Sequence, residues 1–370
     1  MLDFHGIVFA YQAAPALGEL VSKRTAASLP FCGRYRLIDF SLSSLMNAGI
    51  RDVGVIMQRD YQSLLDHLGS GKAWDMSRKT RGLRILPPFG LPEYHKGDYA
   101  GTMEALMAVK TYIRHIPQKH VVLLLGDLLA NIDLQPILEQ HLRSGAPITA
   151  ICSDHTPNAA RHRFLPGADG FVKGARFGVT GGGEGLSSLE GYVIEKGMLM
   201  QLIELCHAHN FYRFHRDAIS MYLNEEGRMA VAVHSGYAEI IHTVDDYYRA
   251  SRDMLDPEIR RGLFLPERPI RTKDHEGVSA YYGEKAVSRN SLVADNCIVE
   301  GEIENCILFS GVRVGEGAQL KNCIIFQDTV VGDRCRMNHV ISDKNCSFAP
   351  DTVLCGAEKM PVVVGKSKRI

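Results

Sequence analysis

The first segment with chemical potential follows an apolar run near the start of the chain. Ile7–Ala10 is typical of the first strand of a nucleotide-binding fold, after which a glycine-rich loop would bind phosphate. The segment that follows, Tyr11-Gln12-Ala13-Ala14-Pro15-Ala16, contains no glycine. In a glycine loop the backbone itself comes close to the phosphate oxygens. Here side chains occupy that space, and Pro15 has no N–H to donate. We therefore expect that this segment does not bind phosphate.

A cluster of cations follows this segment and offers a different chemistry, the binding of anions. Its members are Lys23, Arg24, Arg34 and Arg36. The chain has 42 basic and 42 acidic residues, so anion binding depends on such a local cluster rather than on net charge. Two interpretations stay open: a binding site for an anion, or a solvated face whose ion pairs add little stability. The terminal cations Lys366, Lys368 and Arg369 either join the site or are solvated.

One carboxylate stands at a position where parallel sheets bind ligands. Asp127 ends the apolar run His120–Asp127, and ligands lie beyond the carboxyl ends of such strands. Asp127 is either a metal ligand or a polar cap of the strand. None of the nine cysteines forms a C-x-x-C pair, so we expect free thiols and no zinc site built on cysteine pairs. The N-terminus has neither a basic region nor a long apolar segment, which predicts a cytoplasmic protein.

The elements that must position these residues alternate between strands and helices. Three apolar runs read as buried strands: Asp52–Met57, His120–Asp127 and Ile148–Asp154. Between the last two, Leu134, Ile137, Leu138 and Leu142 share one face of a helix. Such alternation predicts a parallel sheet covered on both sides, in an α/β, Rossmann-like domain over residues 1–250.

The pattern changes after a linker predicted over residues 251–285. Residues 286–370 contain two apolar series of six-residue period, one of Val312, Ala318, Ile324 and Val330, the other of Leu308, Val314, Leu320 and Phe326. Asn-Cys recurs at Asn296, Asn305, Asn322 and Asn345. This period, with Asn at the corners, predicts a left-handed parallel β-helix of hexapeptide repeats. His339 invites comparison with the catalytic histidine of hexapeptide acyltransferases, but we favour a structural role.

Several blocks in consistent order resemble one known family, the ADP-glucose pyrophosphorylases (glucose-1-phosphate adenylyltransferases). They are "RTAASLPFCGRYRLIDF" from Arg24, "LGSGKAWDMSR" from Leu68, "GTMEAL" from Gly101, "GDLLANID" from Gly126 and "SGYAEIIHTVDDYYRAS" from Ser235. The resemblance implies a GT-A-like nucleotidyltransferase domain followed by the β-helix. It implies a reaction of ATP with glucose 1-phosphate, giving ADP-glucose and pyrophosphate for glycogen synthesis, with Mg²⁺ held by two aspartates.

The family's phosphate-binding positions are altered in this chain. Its G-G-x-G-x-R loop aligns with Tyr11–Ala16, so that Ala16 replaces the phosphate-pairing arginine. The lysine and proline of its R-A-K-P block are Ala26 and Ala27. Of the two aspartates that bind metal in the family, one matches Asp127 and the other falls at Ile240. A single carboxylate is a poor ligand set for Mg²⁺ on a triphosphate.

The sugar-binding positions of the family are only partly kept. Ser188 and Tyr192 match the serine and tyrosine of its S-M-G-I-Y segment, and Glu190 replaces the glycine between them. A carboxylate at this position would repel a sugar phosphate. Lys173 lies near the family's sugar-phosphate lysine but out of register, so the role is not transferred.

These losses resemble the GlgD-type regulatory subunits of the family. We therefore predict a regulatory subunit with little or no activity, in a hetero-oligomer with the catalytic subunit, although self-association stays possible. It would require no cofactor itself, would bind neither nucleic acid nor membrane, and would respond to a sugar-phosphate effector at the cation cluster. The alternatives are an active, diverged nucleotidyltransferase and an acyltransferase that uses the β-helix.

Overall fold

The computed structural model describes residues 3–11, 14–87, 99–155, 161–179, 183–274 and 276–370. In these residues no helix is both long and apolar enough to cross a membrane. Contacts divide the chain into two compact units. The first comprises the described residues within Met1–Ala13, Ile38–Ile240 and Leu263–Arg271, and the second those within Ala14–Leu37, Ile241–Gly262 and Thr272–Ile370.

The strands up to residue 240 carry mostly apolar side chains. They are β1 (Phe4–Phe9), β2 (Pro30–Phe31), β3 (Tyr35–Arg36), β4 (Val53–Ile56), β5 (Leu83–Leu86), β6 (His120–Leu125), β7 (Leu128–Ala130), β8 (Ile148–Ser153), β9 (His162–Pro166), β10 (Val172–Phe177), β11 (Leu186–Glu195), β12 (Met229–His234) and β13 (Ala238–Ile240). The three strands expected from apolar runs are confirmed as β4, β6 and β8, because every residue of β4 and β8 and all but the first of β6 are buried.

The α-helices are mostly short. They are α1 (Ile38–Asn47), α2 (Gln62–Leu68), α3 (Thr102–Ala108), α4 (Lys110–His115), α5 (Leu134–Ser144), α6 (Lys196–His209), α7 (Ser220–Asn224), α8 (Val244–Asp253) and α9 (Pro257–Leu263). The expected apolar face of α5 is correct for Leu134, Ile137 and Leu138. It is wrong for Leu142, which is 55% exposed, because the helix buries His141 in that turn.

The first unit contains a mixed sheet of nine strands within the described residues. Its centre, in the order β5-β4-β1-β6, is parallel, as expected from the alternation of strands and helices. The expectation of a wholly parallel sheet is wrong, because β11 runs antiparallel to both β6 and β8. In the described residues no helix lies between β8 and β11, so the chain lacks the crossover that parallel neighbours require there.

The second unit contains a parallel β-helix whose three faces are five-stranded sheets. Its strands are β14 (Tyr281–Tyr282), β15 (Val287–Arg289), β16 (Leu292–Val293), β17 (Ile298–Val299), β18 (Glu302–Glu304), β19 (Ile307–Leu308), β20 (Arg313–Val314), β21 (Gln319–Lys321), β22 (Ile324–Ile325), β23 (Val330–Val331), β24 (Arg336–Asn338), β25 (Val340–Ser342), β26 (Ser347–Phe348), β27 (Val353–Cys355) and β28 (Val362–Val364). The β-helix of hexapeptide repeats is therefore confirmed.

The corners of the β-helix explain the recurring Asn-Cys pairs. Asn296, Asn305, Asn322 and Asn345 all have φ between 53° and 58°, the left-handed region that asparagine tolerates better than most residues. The cysteine after each asparagine is buried in the core of the β-helix.

The strand pairing of the β-helix departs from an exact six-residue period. Arg313 pairs with Val330, and Ile307 pairs with Ile324, so a coil takes 17 residues here rather than 18. The inward positions therefore shift by one, and Thr329 and Val331 are buried while Val330 is 42% exposed. The expectation that the Val330 side chain faces the core of the β-helix is wrong for this reason.

The two units do not follow the chain linearly, because residues 14–37 and 241–262 group with the β-helix. The segment predicted as a linker, residues 251–285, contains α9 and the first strand of the β-helix, β14. Domain boundaries at residues 250 and 285 stay a prediction.

Candidate functional site

Aromatic packing follows β1, where the family places its glycine loop. The Tyr11 ring packs edge-on against Tyr99, with 5.0 Å between ring centroids, and against Phe9, at 6.2 Å. Burial raises the pKa of the Tyr11 hydroxyl, and a hydrogen bond with Thr102 partly opposes this effect. Gln12 and Ala13 lie outside the described residues. In the first unit a bulky ring is thus buried directly after β1.

The rest of this segment belongs to the second unit. Pro15 begins a 3₁₀ turn, Pro15–Val21, and Ala14 before it is buried. Ala16 is exposed and carries a methyl group, which cannot pair with phosphate. Ala26 and Ala27 lie in a second short turn, Ala26–Ser28, and are buried.

Asp127 and Ile240 are brought close by a two-stranded ladder. Asp127 lies directly before β7, and Ile240 on β13 pairs with Leu128, the first residue of β7. Ile240 is fully buried and Asp127 nearly so. Within the described residues, neither carboxylate oxygen of Asp127 has a hydrogen-bond partner on another residue. Burial, with a smaller contribution from the Glu190 carboxylate, raises the pKa of Asp127 to about 7.

These residues do not fit the Mg²⁺ that the family uses. Mg²⁺ requires oxygen ligands in near-octahedral geometry and keeps several waters. Here one carboxylate is buried, and the position beside it offers only the hydrocarbon side chain of Ile240. We therefore derive no catalytic step through a metal at Asp127.

The segment resembling the family's sugar site forms a buried polar cluster around Glu190. Glu190 has φ +55° and lies at an irregularity of β11, where the register with β8 shifts between Ser188 and Gly191. Its backbone N–H donates to Ser188 Oγ at 3.0 Å. Its carboxylate Oε1 lies 3.8 Å from His162 Nε2.

His215 completes this cluster. The rings of His162 and His215 stack with 4.0 Å between centroids and 18° between planes. Burial raises the pKa of Glu190 to about 7, partly opposed by Arg161, and burial lowers the pKa of His215. Sequence reasoning identified Glu190 but missed both histidines, because they are distant in sequence and carry no spacing signal.

Two further residues of this region have clear positions. The fully buried ring of Tyr192 on β11 packs against Phe214, with 5.0 Å between centroids, and against His215, at 5.5 Å. Lys173 on β10 is one of the residues that line a shallow groove of about 550 Å³. Nothing in this position gives Lys173 the family's sugar-phosphate role.

The cation cluster divides into buried and exposed members. Arg24 is buried, and its Nη2 donates to both carboxylate oxygens of Asp343 at 2.7 and 3.0 Å. Lys23 and Arg34 are exposed, and Arg36 on β3 is half-buried. The alternative of a solvated face therefore does not hold for Arg24.

The structure adds a cation that the sequence did not single out. Lys344, next to Asp343, has its pKa lowered to about 7, first by burial and then by the positive charges of Arg36, Arg24 and Lys366. Arg24 can donate a further hydrogen bond, because its Nη1 has no hydrogen-bond partner among the described residues. Because these cations repel one another, their arrangement favours the binding of an anion between them.

The C-terminal residues are fixed to the β-helix rather than loosely solvated. The Lys368 carbonyl accepts from Ser347 N–H at 2.9 Å, and Ile370 N–H donates to the Ser347 carbonyl at 2.9 Å. The backbones of Arg369 and Ser347 form an isolated parallel β-bridge. The side chains of Lys366, Lys368 and Arg369 are exposed.

His339 is held in a hydrogen-bond network. Its Nδ1 lies 2.8 Å from Tyr248 Oη, and Tyr248 Oη also donates to the Asn322 carbonyl at 2.7 Å. The Asn322 amide lies 3.4 Å from His339 Nε2. Because both ring nitrogens have partners, the structure favours the structural interpretation of this histidine.

Comparisons with known proteins agree with this architecture. Residues 17–164 match the nucleotidyl transferase family, and residues 277–360 match the GlmU-like C-terminal hexapeptide family. The chain is 35% identical to a glycogen biosynthesis protein GlgD of Bacillus subtilis over 353 residues, 95% of this chain and 92% of the relative. It is 35% identical to a GlgD of Geobacillus stearothermophilus over 316 residues, 85% of this chain and 81% of the relative.

Similarity extends to catalytic relatives. The chain is 31% identical to a glucose-1-phosphate adenylyltransferase of Geobacillus stearothermophilus over 322 residues, 82% of this chain and 79% of the relative. The resemblance to ADP-glucose pyrophosphorylases is thereby confirmed, and identity is higher to the two GlgD proteins. The chain belongs to the GlgD family of glycogen biosynthesis proteins, which is related to the glucose-1-phosphate adenylyltransferases.

Proposed function

We propose that this chain is a regulatory subunit of glucose-1-phosphate adenylyltransferase, with little or no activity of its own. The observation that carries the proposal is the pairing of β7 with β13, which brings the apolar Ile240 next to Asp127. The family reaction needs a metal at these two positions, and a buried isoleucine supplies no ligand. The proposed role is regulation and assembly in glycogen synthesis.

The phosphate-binding segment supports the same conclusion. Tyr11 is buried by aromatic packing, Pro15 has no N–H, and Ala16 has no charge. Loss of one transition-state donor costs roughly 10²–10³-fold in rate, so combined losses leave little catalysis. Ser188 and Tyr192 are present, but the carboxylate of Glu190 lies between them in the chain.

The proposed partner is the catalytic subunit of the enzyme, in a hetero-oligomer located in the cytoplasm, with a homo-oligomer as the alternative. The regulatory chemistry is assigned to an anion site of Arg24, Arg36, Lys344 and Lys366, with Lys23 and Arg34 as exposed neighbours. Its charge favours a small phosphorylated effector. This chain would require no cofactor for that role, whereas the catalytic subunit would use Mg²⁺.

The test is a pyrophosphate-release assay with ATP, glucose 1-phosphate and Mg²⁺. It compares this chain alone, the catalytic subunit alone, and their mixture. We expect almost no turnover from this chain and a changed rate or effector response in the mixture. Asp127→Asn in this chain is the matched variant, and it should leave the activity of the mixture unchanged because catalysis belongs to the partner.

Two outcomes would contradict the proposal. Robust turnover by this chain alone, abolished by Asp127→Asn, would favour an active, diverged nucleotidyltransferase. That reading also requires tight binding of MgATP, which isothermal calorimetry measures directly. A mixture that behaves as the sum of its separate components would exclude a regulatory role toward that partner.

A further inference from the structure

Three side chains capable of binding a metal converge in the first unit, outside the family's metal position. One donor atom each from His162, Glu190 and His215 lies within 4.8 Å of the other two. The separation of His162 Nε2 and Glu190 Oε1 is 3.8 Å, and the two imidazole rings are stacked. Two imidazole nitrogens and one carboxylate oxygen are thus already grouped.

One of these donors is buried and unused. His215 is only 9% exposed, and its Nε2 has no hydrogen-bond partner within the described residues. An unpaired polar atom away from water usually costs stability, so its presence requires an explanation. A cation that accepts the nitrogen lone pair would supply one.

The three ligands come from three separate elements. His162 begins β9, Glu190 lies at the irregularity of β11, and His215 lies in the π-helical turn Phe214–Ile219. A β-bulge redirects a side chain, and π-helical turns are frequent at functional sites. Glu190 holds φ +55°, a conformation that is strained for a glutamate and is retained only where the surroundings require it.

We propose that His162, Glu190 and His215 form a binding site for a transition-metal dication of the zinc type. Neutral imidazole nitrogens with a carboxylate suit Zn²⁺, whereas Mg²⁺ prefers oxygen ligands only. Bonds of about 2.0–2.1 Å at tetrahedral angles place ligand atoms about 3.4 Å apart, so the three side chains close by about 1 Å or less on average. The stacked rings tilt toward each other in this closure.

Binding at His162 Nε2 has a defined local consequence. Without the ion, Nδ1 accepts a long hydrogen bond of 3.4 Å from the Gly178 N–H, and binding of the ion at Nε2 places the ring proton on Nδ1, which then can no longer accept. That bond is released when the ion binds. Among the described residues, Glu190 interacts electrostatically with the acidic Asp127 and with the basic Arg161. The ion would thus lie beside one acidic and one basic neighbour.

The site goes beyond the proposed regulatory function, since that function requires no metal in this chain. The resemblance places a phosphorylated sugar where Glu190 now lies. An ion bound by Glu190 and two histidines would therefore stabilise the first unit in a form closed to that sugar.

The experiment measures Zn²⁺ binding to the full chain by isothermal calorimetry, with Co²⁺ as a spectroscopic probe of the ligand geometry. A Cys355→Ser background removes an exposed thiol, because thiolates are zinc ligands and would compete with the proposed site. We expect one Zn²⁺ per chain, a melting temperature raised by several degrees at saturation, and no comparable effect of Mg²⁺. Tetrahedral Co²⁺ should give intense visible absorption.

Matched variants test the assignment of the ligands. Glu190→Gln and His215→Asn should each weaken Zn²⁺ binding by roughly tenfold or more. His115→Gln, at an exposed histidine of α4, should leave the affinity unchanged. Circular dichroism in EDTA checks that each variant folds, and His162→Gln replaces any variant that does not. The proposal is overturned if the chain binds no stoichiometric Zn²⁺, or if these variants bind it as tightly as the parent chain.

Discussion

At the scale of single residues, two of the replacements that remove family chemistry are well packed. Ile240 is fully buried, and Tyr11 packs on two aromatic rings. Glu190 is the exception, because it combines a left-handed backbone with a buried carboxylate. It is therefore the residue at which a substitution should increase stability.

Glu190→Gly is expected to stabilise the chain when metal is absent. Glycine adopts φ +55° without strain, and the buried carboxylate is removed. Together these effects should amount to about 1–3 kcal/mol of unfolding free energy. Urea denaturation in EDTA measures it. Glu226→Gly is the control, since Glu226 has φ +59° but is exposed, and it should gain only the smaller backbone contribution. An equal or greater gain at Glu226 would contradict the buried-charge argument.

The buried His141 should make the first unit sensitive to acid. Its Nδ1 lies 2.8 Å from Thr149 Oγ1 and its Nε2 lies 3.1 Å from His120 Nδ1, while burial lowers its pKa from 6.5 to about 4. Between these values the unfolded chain binds a proton that the folded chain does not. Stability should therefore fall as the pH falls from 6.5 to 4, by about 1–3 kcal/mol from this residue.

The measurement is the free energy of unfolding as a function of pH for the parent chain and for His141→Gln. The variant should show a flatter profile between pH 6.5 and 4. His115→Gln, which changes an exposed histidine, should keep the slope of the parent chain. Identical slopes in all three proteins would refute the assignment to His141.

At the scale of elements, a buried ion pair joins the N-terminal segment of the second unit to a coil of the β-helix. Arg24 and Asp343 are both almost fully buried, and Asp343 also accepts from the Lys344 N–H at 2.6 Å. Removing one member of a buried pair leaves an uncompensated charge. The effect of the uncompensated charge should therefore be measurable as a difference in the free energy of unfolding between a single and a double variant.

Arg24→Ala is expected to destabilise the second unit by about 3–5 kcal/mol, measured by urea denaturation. The double variant Arg24→Met with Asp343→Asn should lose much less, because asparagine removes the charge but still accepts from Lys344 N–H. Arg334→Ala breaks an exposed bidentate pair with Asp351 in the same β-helix and should have little effect. A double variant as unstable as Arg24→Ala would argue against the charge as the cause.

At the scale of the whole molecule, the two units divide the proposed functions. The first contains the altered family site and the proposed metal site, and the second contains the anion site. Lys344 should make anion binding depend on pH, because a pKa of about 7 leaves its side chain half-protonated near neutral pH. Anion binding should therefore be tighter below pH 7 than above it.

Lys344→Gln is expected to weaken sulfate binding several-fold at pH 6 and to remove most of its dependence on pH between 6 and 8. Sulfate is the probe because it does not titrate in this range, and calorimetry on the full chain gives the affinity. Lys79→Gln, at an exposed lysine of the first unit, should change neither quantity. In the mixture with the catalytic subunit, Lys344→Gln should also reduce the response to a sugar-phosphate effector. An unchanged pH profile would exclude Lys344 from the site.

The local structure, and the loss of the family's residue types at the altered positions, follow from residue types along the chain. The apolar runs predicted β4, β6 and β8, because a continuous apolar run is typical of a strand buried on both faces, and the six-residue period predicted the β-helix, because its coils stack with a regular repeat. The loss of phosphate-binding residue types at Tyr11–Ala16 and of a metal ligand at Ile240 was likewise predicted from the residue types. The 17-residue coil, which exposes Val330, was not, because it depends on how one coil pairs with the next.

The contacts between polar groups depend instead on how the chain packs in three dimensions. Arg24 and Asp343 are 319 residues apart, and His162, Glu190 and His215 come from three elements. A residue type states which bonds a side chain can form, but its partner is chosen by how strands and coils pack. In this protein that packing buried Arg24 with Asp343 and placed Lys344 among other cations, and it left His215 Nε2 without a partner among the residues that the structure describes.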